Sequence, residues 1–188
     1  MATVTINNSP IHSDSIITYP YGIADRGYSC GWHTGLDFAP YGSTERNPLL
    51  YSCVSGTVVQ VNLTPSQALG NNVVIQDTNG KYWRYCHMVT GSVQVIQGQS
   101  VNTGSIIGRM GATGNVTGIH LHLEHSTTLA WQCSTFLNPA TALGIPNIDN
   151  TIVKYDGSVP PTPPPSPSGK LSNSQKWLFC KSIKIRRL

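Results

Sequence analysis

Short runs in which apolar and polar side chains alternate recur along the chain, and a period of two marks a strand with one buried face. The sharpest is Gly118-Ile119-His120-Leu121-His122-Leu123-Glu124, which turns Ile119, Leu121 and Leu123 to a core and His120, His122 and Glu124 to the opposite face. Val54 to Val61 and Asn72 to Gln76 are rich in β-branched residues and read as two further strands. Asp77-Thr78-Asn79-Gly80 is a hairpin signal returning into Lys81 to Met88. On that strand Trp83, Tyr85 and His87 share one face and Tyr82, Arg84 and Cys86 the other, with His87 at the end, where its ring can reach an adjoining cleft. Residues 1–30, broken by Pro10, Pro20, Gly22 and Gly27, suggest an initial strand and a long loop. His33 and Asp37 are four apart and fall on one face of a helix or a strand. Gly35 and Pro40 disfavour a helix, which places the pair on a short strand. Six glycines between 98 and 118 separate very short strands, and 126–156 reads as loop with a helical turn near Pro139 to Leu143. The predicted fold is mainly β with little helix.

Composition supports this, since only 11% of the 188 residues are charged while glycine, proline and small polar residues abound. The formal charge of +4 is misleading as an average. Residues 170–188 carry six of the twelve lysines and arginines and no acid, so residues 1–169 are net acidic. The body has no basic footprint for nucleic acid. Residues 157–169 hold six of the thirteen prolines and read as a semi-rigid spacer. This divides the chain into a domain over 1–156, a Pro-rich linker over 157–169 and a short basic tail over 170–188. The tail is too short for a core of its own and reads as a remnant of a second module or an unstructured end. Met1 to Pro20 lacks the pattern of a signal peptide, and no segment is long enough to span a membrane. The cysteines at 30, 53, 86, 133 and 180 show no C-x-x-C spacing, and their odd number argues against a complete disulfide framework. Buried free thiols are expected, ahead of a Cys30–Cys53 bridge.

The candidate chemistry lies in His33, Asp37, His87, His120 and His122. An H-x-H alone is weak evidence, because an alternating strand puts polar residues on one face by default. His33 and Asp37 alone read equally as a hydrogen-bonded loop pair, and His87 alone as a solvent-facing edge histidine. Together they change the picture. Catalytic zinc commonly has three N or O ligands and an open position, and His33, Asp37 and one histidine of the H-x-H supply such a set. The histidines left over can act on water or substrate. The absence of H-E-x-x-H excludes the helix-borne metalloprotease plan.

Taken in order, His33-x-x-x-Asp37, His87, and Gly111-Ala112-Thr113-Gly114 running on to His120-Leu121-His122-Leu123-Glu124 resemble the lysostaphin-type or LytM-like M23 zinc endopeptidases, which cut peptides in bacterial cell walls. The resemblance covers roughly residues 15–145. It implies a small antiparallel β-sheet with a long groove, zinc held by His33, Asp37 and His122, and a catalytic pair in His87 and His120. Glu124 receives no assigned chemistry and is left as a supporting group. Two departures stand out. Ser43-Thr44-Glu45-Arg46-Asn47-Pro48 replaces the family's compact turn beside the groove, and the groove tyrosine of the family is either Tyr21 or Tyr28. An amino-terminal peptidase followed by a Pro-rich linker, without a signal peptide, is similar to bacteriophage endolysins. The implied partner is peptidoglycan, reached from the host cytoplasm on release or from the virion, with a monomer expected. A non-catalytic relative that binds wall peptides or activates another hydrolase is the alternative, although all five positions are intact. A biotinyl- or lipoyl-like carrier fails for want of a lysine between Lys81 and Lys154. The spacing also departs from that of zinc D,D-carboxypeptidases. His12 and His125 are expected to be dispensable, the latter because it alternates away from the site.

Overall fold

The computed structural model describes residues 1–158; most of the expected Pro-rich linker and the whole of the expected basic tail lie outside the described residues. Twelve strands occur there: β1 (Thr3–Ile6), β2 (Ser15–Tyr19), β3 (Leu36–Pro40), β4 (Leu49–Tyr51), β5 (Gly56–Asn62), β6 (Asn71–Asp77), β7 (Tyr82–Met88), β8 (Ser100–Val101), β9 (Ile106–Arg109), β10 (Leu121–Ser126), β11 (Phe136–Leu137) and β12 (Ile152–Tyr155). A helix, α1 (Pro139–Leu143), and a 3-10 turn, Cys133–Thr135, complete the set. One sheet runs β1-β12-β2-β3-β10-β7-β6-β5-β8 with β11 beside β10, while β4 and β9 form a separate pair. Pairing is antiparallel except that β1 runs parallel to β12.

The local causes are those the pattern suggested. β5 and β6 are held by their β-branched residues, and Val58, Val73 and Ile75 bury their side chains fully. The turn into β7 closes because Asp77 Oδ1 accepts the backbone N–H groups of Asn79 and Lys81, each at 2.9 Å. Gly80 supplies the left-handed residue there, at φ 76°. The helix α1 starts with Asn138 accepting from Ala140 N–H at 2.9 Å and Pro139 in the first turn, and it stops at Gly144 in the left-handed region. Four strands escaped the pattern: β2, β11 and β12 lie in segments read as loop, and β4 in a stretch given no element.

Leu121 and Leu123 of β10 turn inward with Phe38 of β3 and Tyr85 of β7, and Leu50, Ile107 and Met110 around the β4–β9 pair bury against the same core. His125 also faces this side, stacked on Trp83 with ring centroids 4.1 Å apart. The opposite face of β10 is left for polar groups.

The expected free thiols are corrected in one place. Cys30 and Cys133 form a disulfide. Cys53 and Cys86 are buried free thiols, as expected, so no Cys30–Cys53 bridge exists. A partner 103 residues away leaves no local signal, because the pairing depends on two loops meeting across the domain.

Candidate metal centre

Register builds the centre of the site. β10 pairs with β3 so that His122 lies opposite Asp37, and with β7 so that Glu124 lies opposite Arg84. All four side chains emerge on the face away from the leucines. His33 is not on the same strand as Asp37, contrary to expectation: it ends the loop before β3. Its backbone accepts from Gly22 N–H at 2.9 Å and donates to the Ile23 carbonyl at 2.8 Å, while its Nδ1 lies 2.9 Å from the Pro20 carbonyl. A carbonyl only accepts, so Nδ1 carries the hydrogen and the Nε2 lone pair points into the site.

Three donor atoms converge there. His33 Nε2 is 3.0 Å from His122 Nδ1, Asp37 Oδ1 is 2.8 Å from His122 Nδ1, and His33 Nε2 is 3.2 Å from Asp37 Oδ1. His33 and His122 are buried and Asp37 nearly so. Two imidazoles and a carboxylate facing one point, with the far nitrogen of one ring already fixed, suit a divalent cation of borderline softness such as zinc. Burial opposes the charge on Asp37, but the imidazoles of His122 and His33 beside it outweigh that and hold the carboxyl well below its ordinary range. Gly35 makes room for this packing, since a Cβ there would sit 2.6 Å from His122 Cε1.

Behind His122 stands a buried carboxylate. Glu124 Oε1 lies 3.2 Å from His122 Nε2, off the line of a full hydrogen bond, and accepts from Thr34 Oγ1 at 2.7 Å. Glu124 Oε2 takes both Nε and Nη2 of Arg84, each at 2.6 Å. Glu124 thus fixes the far side of the His122 ring, a role that H-x-H-x-E on alternating positions could have signalled.

His87 and His120 stand next to the three donors. Their ring centroids are 4.7 Å apart, and that of His87 is 5.8 Å from that of His122. His87 Nδ1 donates to the Thr113 carbonyl at 2.8 Å and His120 Nδ1 to the Gly118 carbonyl at 3.0 Å, so each ring leaves Nε2 as an acceptor. Burial first, then the neighbouring imidazoles, pulls the His87 pKa down to about 4. Strict alternation would have put His87 with Trp83 and Tyr85 against the core. Instead its backbone is left-handed, at φ 61°, and the β6–β7 register shifts between Asn71 and Val73, which delivers the ring to the site. His87 N–H donates to the Leu69 carbonyl at 3.0 Å.

Three of the five, His87, His120 and His122, line a cleft of about 900 Å³, with His33 and Asp37 behind them. Tyr28, rather than Tyr21, lines it, with its ring 5.1 Å from that of His33; Tyr21 turns away and donates to the Phe136 carbonyl at 3.2 Å. Burial and then the charges of Asp37 and Asp25 raise the Tyr28 pKa, so its hydroxyl stays protonated. Cys30 and Cys133 both sit in the cleft wall beside Trp131. The loop from Ser43 to Pro48 does not line the cleft; Glu45 and Asn47 fasten it to Arg109 instead.

A model of peptidase family M23 matches residues 31–132, just over half of the chain. The chain belongs to that family. The M23 domain is similar to the peptidoglycan DD-endopeptidase ShyA of Vibrio cholerae, 42% identical over 93 residues that make up 49% of this chain and 20% of that protein. It is similar also to endolysin 2638A of Staphylococcus phage 2638A, at 35% over 97 residues, 50% of this chain and 19% of the endolysin. The chain thus spans about a fifth of the length of these curated relatives. Among solved structures, the catalytic domain of the antimicrobial peptidase lysostaphin from Staphylococcus simulans superposes with a TM-score of 0.58 at 27% identity, covering 68% of this chain and 91% of that domain. A zinc-containing peptidase from Vibrio cholerae gives 0.53 at 31% identity, covering 64% of this chain and 36% of that one. The M23 domain therefore has the lysostaphin-like fold.

Proposed function

We propose that the chain is a zinc-dependent endopeptidase that hydrolyses peptide cross-bridges or stem peptides of bacterial peptidoglycan, and that it works as the lytic domain of a phage lysin. The observation that carries the reading is the convergence of His33 Nε2, Asp37 Oδ1 and His122 Nδ1 beside two histidines whose Nε2 atoms are acceptors. His33, Asp37 and His122 would hold one ion per chain. Zinc held there would supply a Lewis acid, lowering the pKa of water to about 7 and drawing charge from a carbonyl oxygen.

The proton transfers fall to this chain's own groups. His87, neutral near pH 7 and anchored through Nδ1, takes a proton from the attacking water at Nε2 and returns it to the leaving amine. His120 presents its own Nε2 on the far side of Asp37, at 3.7 Å from Oδ2, and orients the water with His87. Tyr28, which keeps its proton, donates to the oxygen that gains charge as the carbonyl is attacked. The similarity to a phage endolysin supports the lytic role, with access to the wall after release from the host cytoplasm or from the virion.

The test uses purified walls and the full chain. The parent protein is expected to hold one zinc and to release new amino termini, identified by mass spectrometry, with activity lost on chelation and regained with zinc. His87→Ala is expected to keep its zinc and lose lysis. Lysis by the chelated protein, or by His87→Ala at the parental rate, overturns the reading.

A further inference from the structure

Arg84 is poorly explained as a structural residue alone. Two of its five N–H donors, at Nε and Nη2, go to Glu124 Oε2, and no other hydrogen bond is made by its guanidinium among the described residues. One face of the guanidinium is covered by Trp131, whose ring centroid is 3.8 Å from Cζ. The backbone of Trp131 is in the left-handed region, at φ 51°, a conformation that costs an aromatic residue about 1–3 kcal/mol and persists where the surroundings impose it. Here the imposing elements are the disulfide at Cys133, two residues on, and the 3-10 turn that follows it.

Arg84 also sits where two cavities meet. It lines the cleft of the metal centre and a side cavity of about 360 Å³, along with Ala68 and Leu69. The side cavity is lined further by Asn62, Thr64, Gln67 and Asn72, and Arg84 is its one ionisable residue. Its charge is already offset by the buried carboxylate of Glu124, so the remaining N–H groups act as directional donors rather than as an uncompensated cation. A second carboxylate would have to compete with Glu124 and leave net negative charge in a partly buried site, whereas a carbonyl or amide oxygen needs no counter-charge.

We propose that Arg84 is a substrate-binding residue, held flat by Trp131, that donates to an uncharged amide or main-chain carbonyl oxygen of the peptide where the metal-centre cleft opens into the amide-lined side cavity. The assignment rests on the endopeptidase reading for the identity of the peptide. It makes the side cavity a subsite for neutral, amide-rich segments such as amidated stem peptides or cross-bridges without acidic side chains.

The experiment compares the parent, Arg84→Lys and Arg84→Gln as zinc-loaded full chains. Arg84→Lys keeps the charge beside Glu124 and loses the planar fork, so it controls for a folding defect in Arg84→Gln. Zinc content, kcat and KM are measured on soluble wall peptides whose side-chain carboxyls are free or amidated. Affinities for the same peptides are measured with each Arg84 variant placed in a His87→Ala background. Both variants are expected to retain zinc, to raise KM for amidated peptides about tenfold with kcat changed much less, and to weaken binding in parallel. The parent is expected to prefer amidated peptides, and the variants to lose that preference. Unchanged KM and affinity in Arg84→Lys, loss of zinc by that variant, or a parental preference for free carboxyls would overturn the assignment. Arg84-dependent binding by a parent that cleaves nothing would keep the assignment and remove the endopeptidase reading; cleavage indifferent to Arg84 would do the reverse.

Discussion

Replacing both Cys30 and Cys133 with serine removes a covalent tie between residues 103 apart in sequence. In the chain-entropy treatment a closed loop of about 100 residues restricts the unfolded chain by about 4.7 kcal/mol, and native disulfides typically contribute about 2–5 kcal/mol. The lower half of that range applies here, because the loop bearing Cys30 is already pinned by backbone bonds from Gly22 to His33 and from Asp25 to Gly31. About 3 kcal/mol in a domain of this size corresponds to a fall in Tm of about 10 °C. Differential scanning calorimetry of the zinc-loaded parent and the double serine variant measures it. The proposed metal ligands stand on β3, β10 and the separately bonded His33, so the variant is expected to bind zinc as the parent does. The wall over residues 127–135 is expected to exchange its amide hydrogens faster. A fall in Tm below about 2 °C, or alkylation of both cysteines in the oxidised, folded parent, would refute the reasoning. The same bond ties the cleft wall to its surroundings, since a thiol-reducing cytosol leaves it open and an extracellular setting closes it.

Further outcomes follow from the site and the buried histidines. His122→Ala is expected to lose stoichiometric metal in elemental analysis; one zinc retained per chain would exclude His122 as a ligand. Gly35→Ala places a Cβ 2.6 Å from His122 Cε1 and 2.7 Å from the Leu123 carbonyl oxygen, and is expected to weaken zinc affinity at least about tenfold in chelator competition. Unaltered affinity would show that the His122 ring has room to move. His12, stacked between Tyr51 and Tyr155 at 3.5 and 3.7 Å, and His125 on Trp83 both have pKa values lowered by burial to about 4. Between pH 6.5 and 4 the unfolded chain holds protons on them that the folded chain does not, so stability is full above 6.5 and falls as the pH drops towards 4. The full slope for one such group is about 1.4 kcal/mol per pH unit, and the half-buried His12 contributes less. Tm measured from pH 7.5 to 4.5 is expected to fall, and to fall less in a His125→Gln variant; identical slopes would remove His125 from the account.

Local pattern located most of the sheet and the site because one face of each strand is apolar. The alternation through Leu121 and Leu123 set the faces of β10, and Asp77 to Gly80 set the hairpin. Residues whose position depends on distant segments were not legible in this way. His87 reaches the site by a left-handed backbone and a register shift, imposed where Gly70, Thr113 and Gly111 crowd the end of β7; a Cβ on Gly111 would lie 2.7 Å from the His87 carbonyl oxygen. Period-two reasoning cannot see such a step. The pairing of Cys30 with Cys133 and the carriage of Glu124 by Arg84 and Thr34 are likewise long-range, while β12 is too short to stand out in a loop-like stretch. The H-x-H pair was visible and the family resemblance implied how it divides; the β3–β10 register supplies the geometry, with His122 opposite Asp37 and His120 beside His87.

The parallel pairing of β1 with β12 has a kinetic consequence. In the sheet β1 has β12 as its neighbour, and β12 separates it from β2. Thr3–Ile6 therefore lacks its partner in the sheet until Ile152–Tyr155 has also been synthesised, some 150 residues later. Contacts of such high sequence separation slow folding. They also make the edge of the sheet the last part to consolidate, leaving Thr3–Ile6 an unpaired template during synthesis. The β5–β6–β7 meander, whose strands are joined by short connections, is complete well before then and is the natural place for folding to begin.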